Sequence, residues 1–176
     1  LEGQRAFVRV DFNVPLEGGK VADATRIIAS LPTIRWLRER GCRVVLASHL
    51  GRPKGERKPE FSLRPVVPVL EKELGVPVGF VDDPISDAAV RETRRLKRGD
   101  VLLLENTRFY PGETKNDAAL AEAFARLGDF YVNDAFGSAH RAHASTEGVA
   151  RHLKPAVAGF LLAKELEYLE AALADP

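Results

Sequence analysis

Short apolar runs alternate along the chain with longer segments in which apolar residues recur every three or four positions. The short runs predict six β-strands, at residues 6–10, 43–47, 78–81, 101–104, 130–132 and 156–160. The longer segments predict helices at residues 25–40, 63–74, 84–97, 118–127 and 161–173. Because the strands are mostly apolar rather than alternating, we expect a sheet that is buried on both faces. The order predicts an α/β fold: a doubly wound, mainly parallel sheet with helices on both faces, a Rossmann-like three-layer sandwich.

Capping residues and prolines refine the helix boundaries. Pro32 lies inside the first helical segment, which predicts either a kink or a later start. Ser62 is a predicted N-cap for the second helix, and Gly75 is its predicted end. Asp83 and Pro84 form a predicted N-cap and first-turn pair for the third helix.

Composition narrows the class of protein. The 176 residues suit one compact domain, and a net charge of +1 gives no overall field of the kind that nucleic-acid-binding proteins carry. The single cysteine, Cys42, cannot form an internal disulfide, which favours a reducing compartment. The sequence has neither an apolar run of membrane-spanning length nor a signal-peptide pattern at its start. We therefore expect a cytoplasmic protein that binds neither membranes nor nucleic acid.

Polar and charged residues are concentrated where four of the predicted strands end. These segments are residues 9–15 (RVDFNVP), 48–53 (SHLGRP), 105–109 (ENTRF) and 133–145 (NDAFGSAHRAHAS). Ligands of parallel sheets bind at the carboxyl ends of the strands, so we expect these segments to meet at one edge. Arg26, early in the first helix, can reach the same edge. The side chains collected there would be Asp11, Asn13, Arg26, His49, Arg52, Arg108, His140 and Arg141.

This set of side chains predicts a site for a small anion. Arginine binds phosphate and carboxylate oxygens through paired N–H groups, and Asp11 can accept a hydrogen bond from a substrate hydroxyl. Each residue also has an ordinary structural explanation: Arg108 as a surface residue, and Asp11 and Asn13 as turn formers. His140 and His143 lack the further ligands that a metal site needs, so we expect no metal. The prediction depends on four separate segments supplying such residues to one edge.

Three common catalytic motifs are missing. The sequence has no GxxxxGK[ST] loop, no serine-centred nucleophile elbow, and Asp11 and Asn13 follow the first strand where a dinucleotide fold has GxGxxG. Two other functions stay open at this point. One is a non-enzymatic, regulatory anion-binding module, and the other is a dinucleotide-dependent oxidoreductase, against which the missing glycines count.

The four segments, in the same order, resemble sequence blocks of the phosphoglycerate kinase family, and specifically of its amino-terminal half. Residues 159–166 (GFLLAKEL) resemble the start of the helix that joins the two domains of that family. The resemblance implies that the chain holds 3-phosphoglycerate or 1,3-bisphosphoglycerate. The residues that it implies for substrate binding are Asp11, Phe12, Asn13, Arg26, His49, Leu50, Gly51, Arg52, Arg108, His140 and Arg141, with Arg26 as the catalytic one.

The resemblance also implies a division of the chain and of the reaction. Residues 1–160 would form the phosphoglycerate-binding amino-terminal domain, and residues 161–176, including Lys164, the start of the interdomain helix. A carboxyl-terminal domain, absent from this chain, would bind Mg-ADP or Mg-ATP. The full-length enzyme would be a monomeric, glycolytic, phosphoryl-transferring kinase, and this chain by itself would bind the acid without turning it over. The lack of an initiator methionine agrees with a processed or partial chain.

Overall fold

The computed structural model describes residues 1–174, which form a central six-stranded sheet and a separate two-stranded hairpin. The sheet strands are β1 (Arg5–Arg9), β4 (Arg43–Ala47), β5 (Val78–Val81), β6 (Val101–Leu104), β7 (Phe130–Asn133) and β8 (Ala156–Ala158). The hairpin pairs β2 (Leu16–Glu17) with β3 (Lys20–Val21). The order across the large sheet is β5-β6-β4-β1-β7-β8, and every neighbouring pair is parallel.

The helices are α1 (Thr25–Glu39), α2 (Val66–Leu74), α3 (Asp87–Arg95), α4 (Ala118–Ala125), α5 (Phe136–Ala139), α6 (Val149–His152) and α7 (Phe160–Ala174). Single 3₁₀ turns span Pro59–Phe61 and Thr107–Phe109, and a π-helical turn spans Ala144–Gly148. Asp175 and Pro176, the last two residues of the expected interdomain helix, lie outside the described residues. No helix within residues 1–174 is both long and apolar enough to cross a membrane.

Two hydrophobic cores cover the two faces of the sheet. Residues of alternate parity on β1 point to opposite sides, so that Val8 packs with α1 and α2 while Phe7 packs with α3, α4 and α6. Phe7 stacks on Tyr131 of β7, with ring centroids 6.1 Å apart. The predicted doubly wound three-layer fold is therefore confirmed.

The strand order reverses next to β1. The chain leaves β1 toward β4 by way of α1 on one face, and it leaves β7 toward β8 by way of α6 on the other face. Because β1 and β7 are adjacent, their following segments separate and open a crevice at the carboxyl edge of the sheet. This is the position at which doubly wound folds bind ligands.

Several predicted boundaries are wrong, each for a local reason. Helix α3 begins at Asp87 because Ser86, not Asp83, is its N-cap and accepts a hydrogen bond from the Ala89 N–H at 3.1 Å. Helix α2 begins after Pro65, because Ser62 instead donates its hydroxyl to Glu105 at 2.6 Å. The last strand ends at Ala158 rather than at residue 160, because α7 begins at Phe160.

Other elements were not foreseen or were left open. The hairpin β2–β3 was missed, although its Gly18–Gly19 turn, with both φ angles positive, is typical of a tight two-residue connection. The segment after β7 forms α5 and the π-helical turn instead of the expected loop. Pro32 lies inside α1, which excludes the later start.

Candidate functional site

The segment after β1 forms the first wall of the cleft at the carboxyl edge. Asp11 Oδ1 accepts a hydrogen bond from the Asn13 backbone N–H at 3.1 Å, which fixes a tight turn. Between them, the Phe12 N–H donates to Ser48 Oγ at 2.9 Å, and its ring is fully buried in the core. The strand-like alternation thus leaves Asp11 and Asn13 lining the cleft and places the Phe12 ring on the other side.

The segment after β4 is joined to this wall by one hydrogen bond. The Gly51 N–H donates to Asn13 Oδ1 at 2.8 Å. Gly51 has a φ of +64°, and a Cβ atom there would lie 2.5 Å from the Phe61 ring, so this position requires glycine. Leu50 is buried beneath the turn, whereas His49 and Arg52 line the cleft.

Arg108 comes from the 3₁₀ turn after β6. Its backbone N–H donates to Asn106 Oδ1 at 2.9 Å, and the Asn106 amide donates in turn to the Leu50 carbonyl at 2.7 Å. Arg108 Nη1 donates to the Gly51 carbonyl at 3.2 Å. Burial and the charge of Arg9 lower the pKa of the Arg108 guanidinium. Arg108 is therefore held in an electropositive, partly desolvated position that favours contact with an anion.

The last wall comes from the segment after β7. Gly137 and Ser138 of α5 line the cleft, and Arg141 follows them with an exposed side chain. The Arg141 carbonyl accepts a hydrogen bond from Thr146 Oγ1 at 2.7 Å, and its N–H donates to the Ser138 carbonyl at 3.1 Å. The backbone at Arg141 is thereby fixed while its guanidinium stays available.

Arg26 reaches the cleft from α1. Its Nη1 donates to the Asn13 carbonyl at 2.8 Å and lies 3.5 Å from Asp11 Oδ1. More than half of the Arg26 side chain is exposed. Among residues 1–174, Asp11 is the only carboxylate that lines the cleft, so Arg26 is held without being fully neutralised.

The assembled cleft has a volume of about 280 Å³ and brings together four guanidinium groups with one carboxylate. Its lining residues are Asp11, Asn13, Arg26, His49, Gly51, Arg52, Arg108, Gly137, Ser138 and Arg141. Eight of them are residues for which the sequence predicts a place in the site. The balance of charge fits a ligand with several negative charges.

His49 is a neutral member of the cleft. The residue is buried, with 8% of its surface exposed. Burial first, and then the nearby charges of Arg9, Arg108, His143 and Arg141, lower the pKa of His49 to about 2. At neutral pH the imidazole therefore acts as a hydrogen-bonding group without adding charge.

Three predicted site residues lie outside the cleft lining. Phe12 and Leu50 are buried core residues and do not line the cleft. His140 is exposed at the end of α5 and does not line the cleft. His143 is buried and lines an adjoining cavity of about 560 Å³, and burial lowers its pKa.

The sequence interpretation missed other residues near the site. Gly137 and Ser138 belong to a predicted site segment but were not singled out, because that segment was expected to be a loop. Lys54 and Lys115 line the adjoining cavity together with Arg52, Arg108 and Arg141. The lysine- and arginine-rich composition of residues 50–61 was the available signal for Lys54. Within residues 1–174, no group of three or more His, Cys, Asp or Glu side chains is placed to hold a metal ion.

Fold and site together define a doubly wound α/β domain with an arginine-rich cleft at the point where the strand order reverses. Comparison with known proteins agrees with this class. The family model described as phosphoglycerate kinase matches residues 1–176, that is, the whole chain. The chain belongs to the phosphoglycerate kinase family.

Individual phosphoglycerate kinases are also similar to this chain in sequence. The chain is 56% identical to a cytosolic phosphoglycerate kinase of Nicotiana tabacum and 53% identical to a phosphoglycerate kinase of Thermosipho africanus. In both cases the alignment covers 100% of this chain and 44% of the relative. The chain thus spans less than half the length of these relatives.

Solved structures of the family share the fold. The phosphoglycerate kinase of Coxiella burnetii superposes with a TM-score of 0.90 at 43% identity, over 100% of this chain and 44% of that one. The enzyme of Pyrococcus horikoshii OT3 gives a TM-score of 0.87 at 35% identity, over 97% of this chain and 43% of that one.

Proposed function

We propose that this chain is the acid-binding part of a phosphoglycerate kinase, and that its cleft holds 3-phosphoglycerate or 1,3-bisphosphoglycerate. The observation that carries the proposal is the convergence of Arg26, Arg52, Arg108 and Arg141 on one cleft beside Asp11. Phosphate and carboxylate groups at the two ends of a three-carbon acid need several guanidinium donors, and the hydroxyl between them needs an acceptor.

The side chains divide into two groups. We assign Arg52, Arg108 and Arg141 to the phosphate that is not transferred, because all three also border the adjoining basic cavity. Asp11 and Asn13 orient the hydroxyl and the glycerate end from the opposite wall. The neutral His49 donates or accepts a hydrogen bond between the two groups. His140 stays a predicted neighbour of the site rather than a lining residue.

Arg26 has the proposed catalytic role. In the reaction, the bond between the transferred phosphorus and the carboxyl oxygen of 1,3-bisphosphoglycerate breaks as a bond forms to the terminal phosphate oxygen of ADP, giving 3-phosphoglycerate and ATP. Such transfers depend on positioning and on stabilising charge at the moving phosphoryl group. Arg26 is exposed and only partly balanced by Asp11, so it can turn toward that group.

The nucleotide is proposed to bind elsewhere. The chain has no P-loop sequence, and the part of the cleft built by residues 1–174 carries a single carboxylate, Asp11. We therefore assign Mg-ADP and Mg-ATP to the part of the family's chain that this sequence does not cover. In that arrangement residues 1–160 form the acid-binding domain, and α7, with Lys164, leads to the nucleotide-binding domain. We place the whole protein in the cytoplasm, as a glycolytic monomer.

Calorimetry separates this proposal from general anion binding. We expect heat from titration with 3-phosphoglycerate, and no measurable heat from glycerate, which lacks the phosphate that the three arginines would hold. Equal heats from both ligands would contradict the assignment. The chain alone should show no phosphoryl transfer between ATP and 3-phosphoglycerate, and turnover would contradict the division between two parts.

A further inference from the structure

We propose that Arg9 is a positioning residue that fixes the tautomer of His49. In this tautomer the single ring N–H is at Nε2, where it is available to the cleft. Arg9 is in turn held in place by Ser145 and Glu113. The inference deepens the proposed function, since it assigns His49 the role of a hydrogen-bond donor to the bound acid. Arg9 itself lines no part of the cleft and acts through His49.

The contact between Arg9 and His49 determines the tautomer. Arg9 Nη2 lies 2.8 Å from His49 Nδ1, and both side chains are buried. A guanidinium has only donors, so Nδ1 must be the acceptor in this bond. A neutral imidazole carries one proton, and that proton is consequently on Nε2.

Arg9 is itself held by a buried chain of hydrogen bonds. Arg9 Nε donates to Ser145 Oγ at 2.9 Å, and Ser145 Oγ donates to Glu113 Oε2 at 2.6 Å. The Ser145 backbone N–H donates to the other carboxyl oxygen of Glu113 at 2.8 Å. All three residues have no measurable exposure. A buried arginine and a buried carboxylate thus lie on the two sides of one hydroxyl, which fixes the direction of each donor.

The opposite side of the imidazole is the one available to a ligand in the cleft. His49 lines the cleft, and within residues 1–174 no group forms a hydrogen bond with its Nε2 atom. The charged and titratable groups that face His49 are Arg9 from β1, Arg108 from the turn after β6, and Arg141 and His143 from the segment after α5. The three guanidinium groups have only donors and cannot accept the Nε2 proton, so an anionic oxygen of the ligand is a matching partner for it.

The alternative to this positioning role is that Arg9 only stabilises the fold. Arg5 provides a matched control that distinguishes the two roles. Arg5 lies on the same strand, with the same parity, and is also buried. It donates to Thr93 Oγ1 at 2.9 Å and pairs with Asp129 at 3.0 Å, at the edge of the sheet away from the cleft. Replacing Arg5 or Arg9 by methionine removes one buried guanidinium in each case, and only Arg9 contacts His49.

The experiment compares Arg9→Met with Arg5→Met by nitrogen NMR of the His49 ring and by calorimetry with 3-phosphoglycerate. In the wild-type chain and in Arg5→Met, we expect one tautomer with the proton on Nε2, and no protonation of His49 between pH 8 and pH 5. In Arg9→Met, we expect a mixture of tautomers and an affinity about tenfold lower, as for one lost hydrogen bond to a charged group. A wild-type ring with its proton on Nδ1, or an unchanged ring in Arg9→Met, would overturn the inference.

Two further variants keep the test decisive if Arg9→Met does not fold. Ser145→Ala removes the hydroxyl that orients Arg9, and Arg9→Lys keeps the charge without the planar donors. Each should also mix the His49 tautomers, and an unmixed ring in both would contradict the inference. The NMR result does not depend on any ligand. Failure of the wild-type chain to bind 3-phosphoglycerate would therefore reject the proposed function while the NMR still decides the role of Arg9.

Discussion

The neutral His49 makes the stability of the fold depend on pH. In the unfolded chain its imidazole has an ordinary pKa of 6.5, whereas in the folded chain burial and the neighbouring arginines lower the pKa to about 2. Below pH 6.5 the unfolded state therefore takes up a proton that the folded state does not. The contribution of the neutral His49 to the free energy of unfolding is fully present above pH 6.5 and is lost progressively as the pH falls toward 2.

This difference predicts the effect of His49→Gln. Between pH 7.5 and pH 5, His49 should contribute a loss of about 2 kcal/mol in the free energy of unfolding, at about 1.4 kcal/mol per pKa unit. Glutamine does not titrate, so the free energy of unfolding of His49→Gln should fall by about 2 kcal/mol less than that of the wild type over the same pH interval. Urea unfolding at the two pH values measures it, with the exposed His140→Gln as the control. An equal loss in the wild type and in His49→Gln would show that His49 is not the titrating group.

Gly51 joins two walls of the cleft through the hydrogen bond from its N–H to Asn13 Oδ1. Gly51→Ala should lower the free energy of unfolding by about 3 kcal/mol, because alanine is strained at a φ of +64° and its Cβ would meet the Phe61 ring. Gly75→Ala is the matched control: φ there is +70°, and a Cβ would meet no heavy atom of residues 1–174 within 4 Å. It should lose only about 1 kcal/mol. If Gly51→Ala and Gly75→Ala lower the denaturation midpoint equally, the contact with Phe61 is not the cause of the loss at Gly51.

At the scale of elements, the amino terminus of α7 is tied to the strand that precedes the arginine-bearing segment. Asp134 is fully buried, and its Oδ1 accepts hydrogen bonds from the Leu161 N–H at 2.9 Å and the Leu162 N–H at 3.2 Å. Burial raises the pKa of the Asp134 carboxyl. A single side chain after β7 thus caps the helix that we propose leads to the nucleotide-binding domain.

Two substitutions at Asp134 separate its hydrogen bonds from its charge. Asp134→Ala should cost about 1–2 kcal/mol and speed amide hydrogen exchange at Leu162, because the helix loses its cap. Asp134→Asn keeps the acceptor and should retain slow exchange. Because burial disfavours the charged carboxylate, the wild type loses stability as the pH rises through the folded pKa of Asp134, whereas Asp134→Asn does not titrate there. The free energy of unfolding of Asp134→Asn should therefore increase relative to that of the wild type. Fast exchange in the asparagine variant would show that the charge, not the acceptor, forms the cap.

Most of the elements followed from the sequence, and the exceptions share a physical cause. Apolar periodicity predicted all six sheet strands, because burial on both faces requires continuous apolar residues. It did not predict where α3 begins, since Asp83 and Ser86 are both good N-caps and only the packed structure selects Ser86. It also missed β2 and β3, whose two residues each are too short to show a period.

In the candidate site, too, some residues were predictable from the sequence and others were not. Asp11, Asn13, Arg52, Arg108 and Arg141 were predictable because they follow strands, and topology alone brings strand ends together. Arg26 was predictable because it lies in the first turn of α1. The burial of the Phe12 and Leu50 side chains depends on which way each turn faces, which local sequence does not specify. The role of Arg9 was hidden for another reason. Its partner Ser145 is 136 residues away in the chain, so only the folded structure places them together.

At the scale of the whole molecule, the reversal of strand order explains why the arginines converge. Adjacent strands β1 and β7 send the chain to opposite faces, and the resulting crevice collects the segments that follow β1, β4, β6 and β7. The central claim is that the arginines there hold the phosphate of a phosphoglycerate.

Titration calorimetry of 3-phosphoglycerate with Arg141→Ala tests that claim most directly. Arg151→Ala is the control, because Arg151 on α6 is also exposed but pairs with Glu147 of the π-helical turn and does not line the cleft. Loss of a guanidinium that bonds a phosphate should weaken binding about 10- to 100-fold, whereas Arg151→Ala should bind like the wild type. Equal heats from the wild type and Arg141→Ala, or no heat from either, would contradict the account.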